Sequence, residues 1–269
     1  MPPLDYAARS TRGARDYQED SSAFWTPADD SAGSPETPSL GPNGACLVAV
    51  LADGMGGHTA GALASQTVCD RFISAFGEPD GTRRDRLIHA LQSANQAVAD
   101  KVTENPILSG MGSTVVAAVF GPSDIEWVSV GDSPLLFFRH GKIAALNEDH
   151  SLAPELDKLA EMGCMTVEEA KADPRRHMLR AAVTGEELDL VDVSRRPLML
   201  EPGDYVILAS DGLHTLEPSE IERIIAAYGK DGAEAVAEAL IREVEAMRVP
   251  HQDNTTVVAI RLLSEAKAE

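Results

Sequence analysis

The sequence is short of cysteine, of aromatic residues and of positive charge. Its 269 residues include three cysteines and 4% aromatic residues, and 23 lysines and arginines stand against 43 acidic residues, for a formal charge of −20. Nucleic acids and anionic membrane surfaces repel a chain this acidic, so we expect neither as its main partner. The acidity is explained either by solubility or by a site for divalent cations, and both explanations remain open.

The few cysteines and the apolar runs exclude further classes of protein. Cys46, Cys69 and Cys164 are odd in number and unpatterned, which predicts reduced core residues rather than a disulfide or zinc framework. The first residues lack the pattern of a signal peptide, and no apolar run approaches the length of a membrane span. We therefore expect a soluble, cytoplasmic protein.

The length and the hydrophobic content of 43% suit one large domain over residues 1–269. A stretch rich in Pro, Gly, Ser and Asp covers residues 26–44, between two runs that resemble strands. This composition predicts a flexible insertion loop, with binding of a substrate or partner there as the alternative.

Apolar runs rich in Val, Ile, Thr and aromatic residues predict six strands. The predicted strands are Ala45–Ala52, Ser113–Phe120, Ile125–Val130, Leu135–Phe138, Tyr205–Ser210 and Thr255–Leu262. Helical periodicity predicts two helices after the first strand, Thr59–Phe76 and Asp85–Glu104, and two more before the last strand. This order of strands and helices indicates the α+β class.

Four aspartates lie at the ends of predicted strands. Asp53, Asp132 and Asp211 each follow a strand, and Asp253 precedes the last one. In an antiparallel sheet the end of one strand lies beside the start of its neighbour, so these residues can gather at one edge. Carboxylates gathered there repel one another unless cations neutralise them, and oxygen ligands favour Mg²⁺ or Mn²⁺.

Hairpin turns are the alternative explanation for an Asp-Gly pair after a strand. Here Asp53-Gly54 leads into a helical pattern, and Asp211-Gly212 also leads towards a helix. The glycines allow the backbone to approach an ion closely, and the carbonyl oxygen of Gly54 is a candidate ligand.

Seven short motifs, in order along the chain, resemble those of one known family. They are Arg15–Asp20, Asp53–His58, Gly112–Thr114, Val130–Ser133, Glu148–Ser151, Gly203–Asp204 with Ala209–Leu213, and Asp253–Thr256. Together they resemble the bacterial form of the metal-dependent Ser/Thr protein phosphatases of the PP2C (PPM) type.

The resemblance implies a PP2C-like β-sandwich of two antiparallel sheets flanked by pairs of α-helices, with metal ions at one end. It implies two core ions, Mn²⁺ or Mg²⁺, bridged by Asp53. The carbonyl of Gly54 and the carboxylates of Asp211 and Asp253 would complete the protein ligands.

Other residues take outer roles under the same resemblance. Glu19 and Asp20 would hold metal-bound waters, and Asp132 with Asp211 would form a weaker third metal site. Arg15 would bind the substrate phosphate, for which its planar guanidinium is suited. Without the motif around it, Arg15 would be more typical of a solvated surface arginine, since most arginines lie on the surface.

This constellation predicts hydrolysis without a phosphoenzyme. Two ions about 3.5–4 Å apart lower the pKa of a bridging water, and the resulting hydroxide attacks phosphorus in line. The general acid stays unassigned, because Met55 stands where other family members carry His. The histidine candidates are His58, His150, His177 and His214, and a metal-bound water is the alternative.

Residues 152–182 resemble the flap of bacterial members, with helices over Ala153–Met162 and Thr166–Ala172 followed by a basic turn at Arg175. We weigh contact with the phosphopeptide against a solvated lid. Pro134 replaces an Arg that family members often carry after Gly-Asp-Ser.

The function expected from the resemblance is hydrolysis of phosphoserine and phosphothreonine on proteins by a monomer that reverses a Ser/Thr kinase in bacterial signalling. A phosphatase specialised for one phosphorylated regulator is equally compatible with the sequence. The alternatives from other classes are a catalytically inactive PP2C-like binding module and a two-metal nuclease. The intact aspartates disfavour the inactive module, and the net charge disfavours the nuclease.

Overall fold

The computed structural model describes residues 4–26, 47–57, 59–77 and 81–264. Apart from Thr26, the loop predicted at 26–44 lies outside the described residues, as do Cys46 and His58. Twelve strands occur in the described ranges: β1 Leu4–Thr11, β2 Asp20–Trp25, β3 Leu47–Met55, β4 Gly112–Ser113, β5 Val115–Phe120, β6 Asp124–Val130, β7 Leu135–Arg139, β8 Lys142–Ala145, β9 Asp192–Val193, β10 Leu198–Met199, β11 Tyr205–Ala209 and β12 Thr255–Leu262. The α-helices are α1 Thr59–Phe76, α2 Arg83–Glu104, α3 Ala153–Glu161, α4 Val167–Ala172, α5 Pro218–Tyr228 and α6 Ala233–Met247.

The strands form two antiparallel sheets. The first sheet has the order β1-β12-β11-β7-β8, and the second has the order β10-β6-β5-β3-β2, with β4 beside β3 and β9 beside β6. Helices α1 and α2 cover the outer face of the second sheet, and α5 and α6 cover the first. The predicted sandwich with flanking helix pairs is therefore confirmed.

Strand β3 shows why its sequence is apolar at consecutive positions. Val48, Val50 and Ala52 pack under α1 and α2, while Leu47 and Leu51 point into the core between the two sheets. Successive side chains of a strand point to opposite faces, so a strand covered on both faces needs no polar alternation.

The flanking helices owe their positions to apolar stripes and to caps. In α2, Leu87, Leu91 and Val98 are buried against the second sheet. Thr82 and Asp85 close a capping box at its first turn, where Thr82 accepts from the Asp85 N–H and Asp85 accepts from that of Thr82. Within the described ranges, no helix combines the length and apolarity that crossing a bilayer requires.

Two expectations from the sequence need correction. Cys164 was expected in the core, but it is exposed in the turn between α3 and α4. The apolar residues near it in sequence belong to these two short helices and not to a strand of the core. Cys69 is buried as expected. The strand predicted over Ser113–Phe120 is interrupted at Thr114, whose N–H bonds to the Asp53 carbonyl at 2.9 Å.

Candidate functional site

Carboxylates from both sheets meet at one end of the sandwich. Asp53 lies near the end of β3, directly opposite Asp20 at the start of β2 in the strand register. Asp211 begins a 3₁₀ turn after β11, and Asp253 stands two residues before β12. The antiparallel pairing of β11 with β12 brings these last two aspartates to the same end as Asp53 and Asp20.

A cavity of about 330 Å³ lies between these strand ends. Seven of the eight residues predicted for the site line it: Arg15, Glu19, Asp53, Gly54, Asp132, Asp211 and Asp253. We call this cavity the acidic cleft. Asp20 does not line it and lies behind it, with 8% of its surface exposed.

Asp20 joins the two sheets at the base of the acidic cleft. Its Oδ2 accepts hydrogen bonds from the hydroxyls of Ser210 and Thr256, each at 2.8 Å, although Thr256 lies on β12 of the opposite sheet and Ser210 directly follows β11 of that sheet. Its Oδ1 is buried and has no hydrogen-bond partner among the described residues. Burial raises the pKa of Asp20 to about 6, against these hydrogen bonds, which lower it.

The other aspartates of the acidic cleft are also held in a setting that disfavours their charge. Burial raises the pKa of Asp53 well above its ordinary value of 3.8, and the charges of Asp20 and Asp211 raise it further. Burial and then the charge of Asp211 raise the pKa of Asp132 to about 7. The pKa of Asp211 is raised by burial and by Asp253. The acidic cleft therefore favours a neutralising positive charge.

The backbone of Asp53 is fixed by the Gly-Ser-Thr motif of the neighbouring strand. The Asp53 N–H donates to Thr114 Oγ1 at 3.0 Å, and Ser113 Oγ donates to the Asp53 carbonyl at 2.9 Å. Thr114 Oγ1 also bonds Ser133 Oγ at 2.7 Å. Two motifs whose sequence suggested no chemistry thus hold the aspartate in place.

Gly54 is enclosed by backbone. Its N–H donates to the Glu19 carbonyl at 3.1 Å. A Cβ at this position would overlap the carbonyl group of Gly61 on α1 and would stand 2.7 Å from the Glu19 carbonyl. Only glycine lets α1 and the loop before β2 approach this closely.

Asn254 holds the loop that carries Arg15. Its Nδ2 donates to the carbonyls of Arg12 at 3.0 Å and Tyr17 at 2.9 Å, and its Oδ1 accepts from the Glu19 N–H at 2.7 Å. Arg15 Nη2 donates to Asp253 Oδ2 at 2.5 Å, with half of the arginine side chain exposed to the acidic cleft. The Arg15–Asp20 and Asp253–Thr256 motifs, which are far apart in sequence, therefore form one structural unit.

The flap covers one side of the acidic cleft, and its helices lie within one residue of the predicted bounds. His177 and Leu179 line the cleft. Arg176 forms two parallel hydrogen bonds to Asp157 of α3, at 2.7 and 2.8 Å, which tie the end of the flap to its own helix. A bridge between Ser151 and Leu179 closes the flap at its base.

The histidines considered as the general acid differ in their distance from the acidic cleft. His150 is buried and accepts the Gly131 N–H at Nδ1, and burial lowers its pKa. His214 is exposed and borders a neighbouring cavity. Of the candidates in the described ranges, only His177 lines the acidic cleft, where Met55 also stands.

Comparison with known proteins identifies the family of this architecture. The model of the family described as protein phosphatase 2C matches residues 26–240. The chain belongs to the protein phosphatase 2C family.

The relatives include Ser/Thr phosphatases of other bacteria. The chain is 34% identical over 257 residues to the Ser/Thr protein phosphatase PstP of Mycobacterium tuberculosis, covering 95% of this chain and 44% of PstP. It is 31% identical over 184 residues to the Ser/Thr phosphatase Stp of Listeria monocytogenes, covering 66% of this chain and 71% of Stp. The chain thus spans less than half the length of PstP.

Solved structures agree with the sequence comparison. A crystal structure of M. tuberculosis PstP matches with a TM-score of 0.77 and 31% identity, covering 97% of this chain and 99% of that one. A structure of the PstP catalytic domain in complex with two manganese ions matches with a TM-score of 0.74 and 30% identity, over 97% and 99% of the two chains.

The donors around the acidic cleft of this protein phosphatase 2C member suit hard cations. The donors predicted as metal ligands there, Asp53, Gly54, Asp132, Asp211 and Asp253, offer carboxylate or carbonyl oxygens. Behind them, Asp20 Oδ1 is a buried acceptor without a donor among the described residues. Within the ranges that the structure describes, no group of three or more His, Cys, Asp and Glu side chains is arranged as it would be around a bound ion. The fit therefore rests on the donor chemistry and on the disfavoured charges.

Proposed function

We propose that this chain is a metal-dependent phosphatase that hydrolyses phosphoserine and phosphothreonine on proteins. The observation that carries the proposal is the convergence of Asp53, Asp211 and Asp253 with Arg15 on one cavity, from separate parts of the chain. The names of PstP and Stp, which are Ser/Thr phosphatases, support it.

The proposal assigns the cations to named donors. Asp53, the Gly54 carbonyl, Asp211 and Asp253 would hold two ions, Mn²⁺ or Mg²⁺, and the two manganese ions of the PstP catalytic domain support this choice. Asp132 would join Asp211 at a third site, and Glu19 and Asp20 would act through water. When bound, such ions supply positive charge for the phosphoryl oxygens and lower the pKa of water at the site.

The residues of this chain then bind and orient the substrate. The Arg15 guanidinium, held by Asp253 at one nitrogen, keeps further N–H groups for a phosphate oxygen. His177 and Leu179 place the flap against the same space, where they limit the access of water. No phosphoenzyme is required, and the group that protonates the leaving oxygen stays unassigned.

The domain extent, oligomeric state and cellular location that we propose are those expected from the sequence. We place one phosphatase domain over residues 1–269, acting as a monomer in the cytoplasm and opposing a Ser/Thr kinase. The free thiols of Cys69 and Cys164 are compatible with a reducing compartment.

The test is hydrolysis of p-nitrophenyl phosphate and of a phosphothreonine peptide with Mn²⁺, with Mg²⁺ and with chelator. Cations contribute several kcal/mol to such reactions, so we expect chelation and Asp211→Asn each to lower the rate about a hundredfold or more. Asp189→Asn is the matched control, because Asp189 is exposed and lies outside the acidic cleft. Activity that survives chelation, or that Asp211→Asn leaves unchanged, would refute the mechanism. Inactivity under every condition would favour the inactive binding module.

A further inference from the structure

A second cavity, of about 410 Å³, adjoins the acidic cleft. Asp132 lines both spaces, so they meet at this side chain. The walls come from the β7–β8 hairpin, from the turn after Asp211 and from the start of α5. We call this cavity the side pocket. Its apolar lining comprises Pro134, Leu136, Ile143, Leu213, Leu216 and Ile221.

The floor of the side pocket is formed by buried core residues and its outer wall by small exposed residues. Leu213, Leu216 and Ile221 are buried in the core between the first sheet and helices α5 and α6. The outer wall, by contrast, is made by Ala144 and Ala145 of β8, which are exposed and too small to fill the space. The side pocket is thus preformed, with a volume in the range typical of binding sites.

The charges at the side pocket select the chemistry of its occupant. Asp132, Asp149 and Glu217 line it, together with His214, and neither Lys nor Arg does so among the described residues. Phosphate or another anion would be repelled there. An apolar side chain, in a segment with a basic neighbour, matches both the lining and the acidic border.

The edge of β8 argues for a bound side chain rather than an added strand. β8 is the outermost strand of the first sheet, but Glu222 of α5 accepts the Ile143 N–H at 3.1 Å and pairs with Lys142 at 3.3 Å. This contact occupies a backbone donor that an incoming strand would need.

Building on the proposed phosphatase function, we propose that the side pocket binds an apolar side chain of the phosphoprotein substrate, within a few residues of the phosphorylated Ser or Thr. Its continuity with the acidic cleft carries this assignment, because an extended peptide advances only about 3.3 Å per residue. A substrate whose phosphate lies near Arg15 would reach the mouth of the side pocket at Asp132 within a few residues, because Arg15 and Asp132 line the same cleft. The pocket would act as a specificity determinant beside the reaction site.

The experiment scans a single leucine through an alanine-rich phosphothreonine peptide, with kcat/KM measured from phosphate release. Burying a leucine side chain is worth enough to raise kcat/KM about tenfold at one position. Ala145→Phe fills the side pocket and should remove this preference while hydrolysis of p-nitrophenyl phosphate stays unchanged. Ala144→Phe is a second filling variant, and Ala227→Phe, on the exposed face of α5, is the matched control that should keep the preference.

Binding of the same peptides without phosphate, followed by fluorescence anisotropy in chelator, separates this proposal from the phosphatase function. Leucine-dependent binding that Ala145→Phe abolishes would support the side pocket even if no peptide were hydrolysed, and would then count against the phosphatase alone. Equal kcat/KM for every leucine position would overturn the proposal. A leucine preference that survives both Ala145→Phe and Ala144→Phe would also overturn it. Equal losses with p-nitrophenyl phosphate in both variants would also overturn it, as would self-association that Ala145→Phe abolishes, since a second copy would then be the occupant.

Discussion

Replacing Asp132 by asparagine should stabilise the metal-free protein at alkaline pH. Asp132 is 8% exposed, and burial together with the charge of Asp211 raises its pKa from 3.8 to about 7. A carboxyl group whose folded pKa is raised contributes stability below its unfolded pKa, and that stability is lost as pH rises through the folded value. The ionised form of Asp132 therefore opposes folding above about pH 7.

The size of this effect follows from the shift. A rise of about three units in the pKa of Asp132 corresponds to a contribution of about 4 kcal/mol to the free energy of unfolding. This contribution is lost between about pH 4 and pH 8. The Asp132→Asn variant carries no charge at this position and should escape this loss. The substitution should also lower the pKa of Asp53, which the charge of Asp132 helps to raise, so both effects act in the same direction.

Urea unfolding in chelator, followed by circular dichroism at pH 5, 6, 7 and 8, measures the difference. With denaturant slopes of about 2–3 kcal/mol per M, Asp132→Asn should unfold about 1–2 M later than wild type at pH 8, and the gap should shrink by pH 5. Asp189→Asn should follow the wild type throughout. A gap between Asp132→Asn and wild type that stays constant, or is absent, across the pH series would refute the reasoning.

Two further predictions concern the frame of the acidic cleft and its flap. Ser210→Ala removes the hydroxyl that donates to Asp20 and accepts the Thr256 N–H at 2.9 Å, so thermal unfolding should show a loss of about 1–3 kcal/mol, whereas exposed Ser219→Ala should change stability little. Arg176→Ala breaks the partly exposed pair with Asp157, so global stability should fall by less than about 1 kcal/mol while thermolysin cuts residues 152–182 faster; an unchanged cleavage rate would show that the pair does not hold the flap.

The strands that the sequence predicts correctly are those covered on both faces. β3 and β12 are apolar along most of their length because each lies between a helix layer and the opposite sheet. β1 was not predicted because it is an edge strand whose residues are half-buried or exposed, so its sequence mixes polar and apolar residues. β8 was not predicted for a similar reason, since it is four residues long and largely exposed.

The residues that line the acidic cleft could be predicted because each lies within a recognisable sequence motif. The residues that hold them in place by hydrogen bonds could not be predicted. Asp20 was expected to act through water in the metal shell, and nothing in its surroundings in sequence indicates bonds to Ser210 and Thr256, 190 and 236 residues away. Asn254 likewise holds the Arg15 loop across more than 230 residues. Such pairs depend on how two sheets stack, which local patterns do not encode.

The acidic cleft therefore contains two kinds of polar residue that act on stability in opposite directions. Asp53, Asp132 and Asp211 carry charges that burial disfavours, so the metal-free fold is less stable for having them. Ser210 hydrogen-bonds the Asp20 carboxylate, and Thr114 and Asn254 hydrogen-bond the backbones of Asp53 and Glu19, so these three residues fix the frame around those charges. If the aspartates served only the fold, removing a charge and removing a supporting hydroxyl would both destabilise it. Opposite signs for Asp132→Asn and Ser210→Ala at pH 8 would show instead that the fold maintains this concentration of negative charge at a cost in stability, as expected of a site built to bind cations.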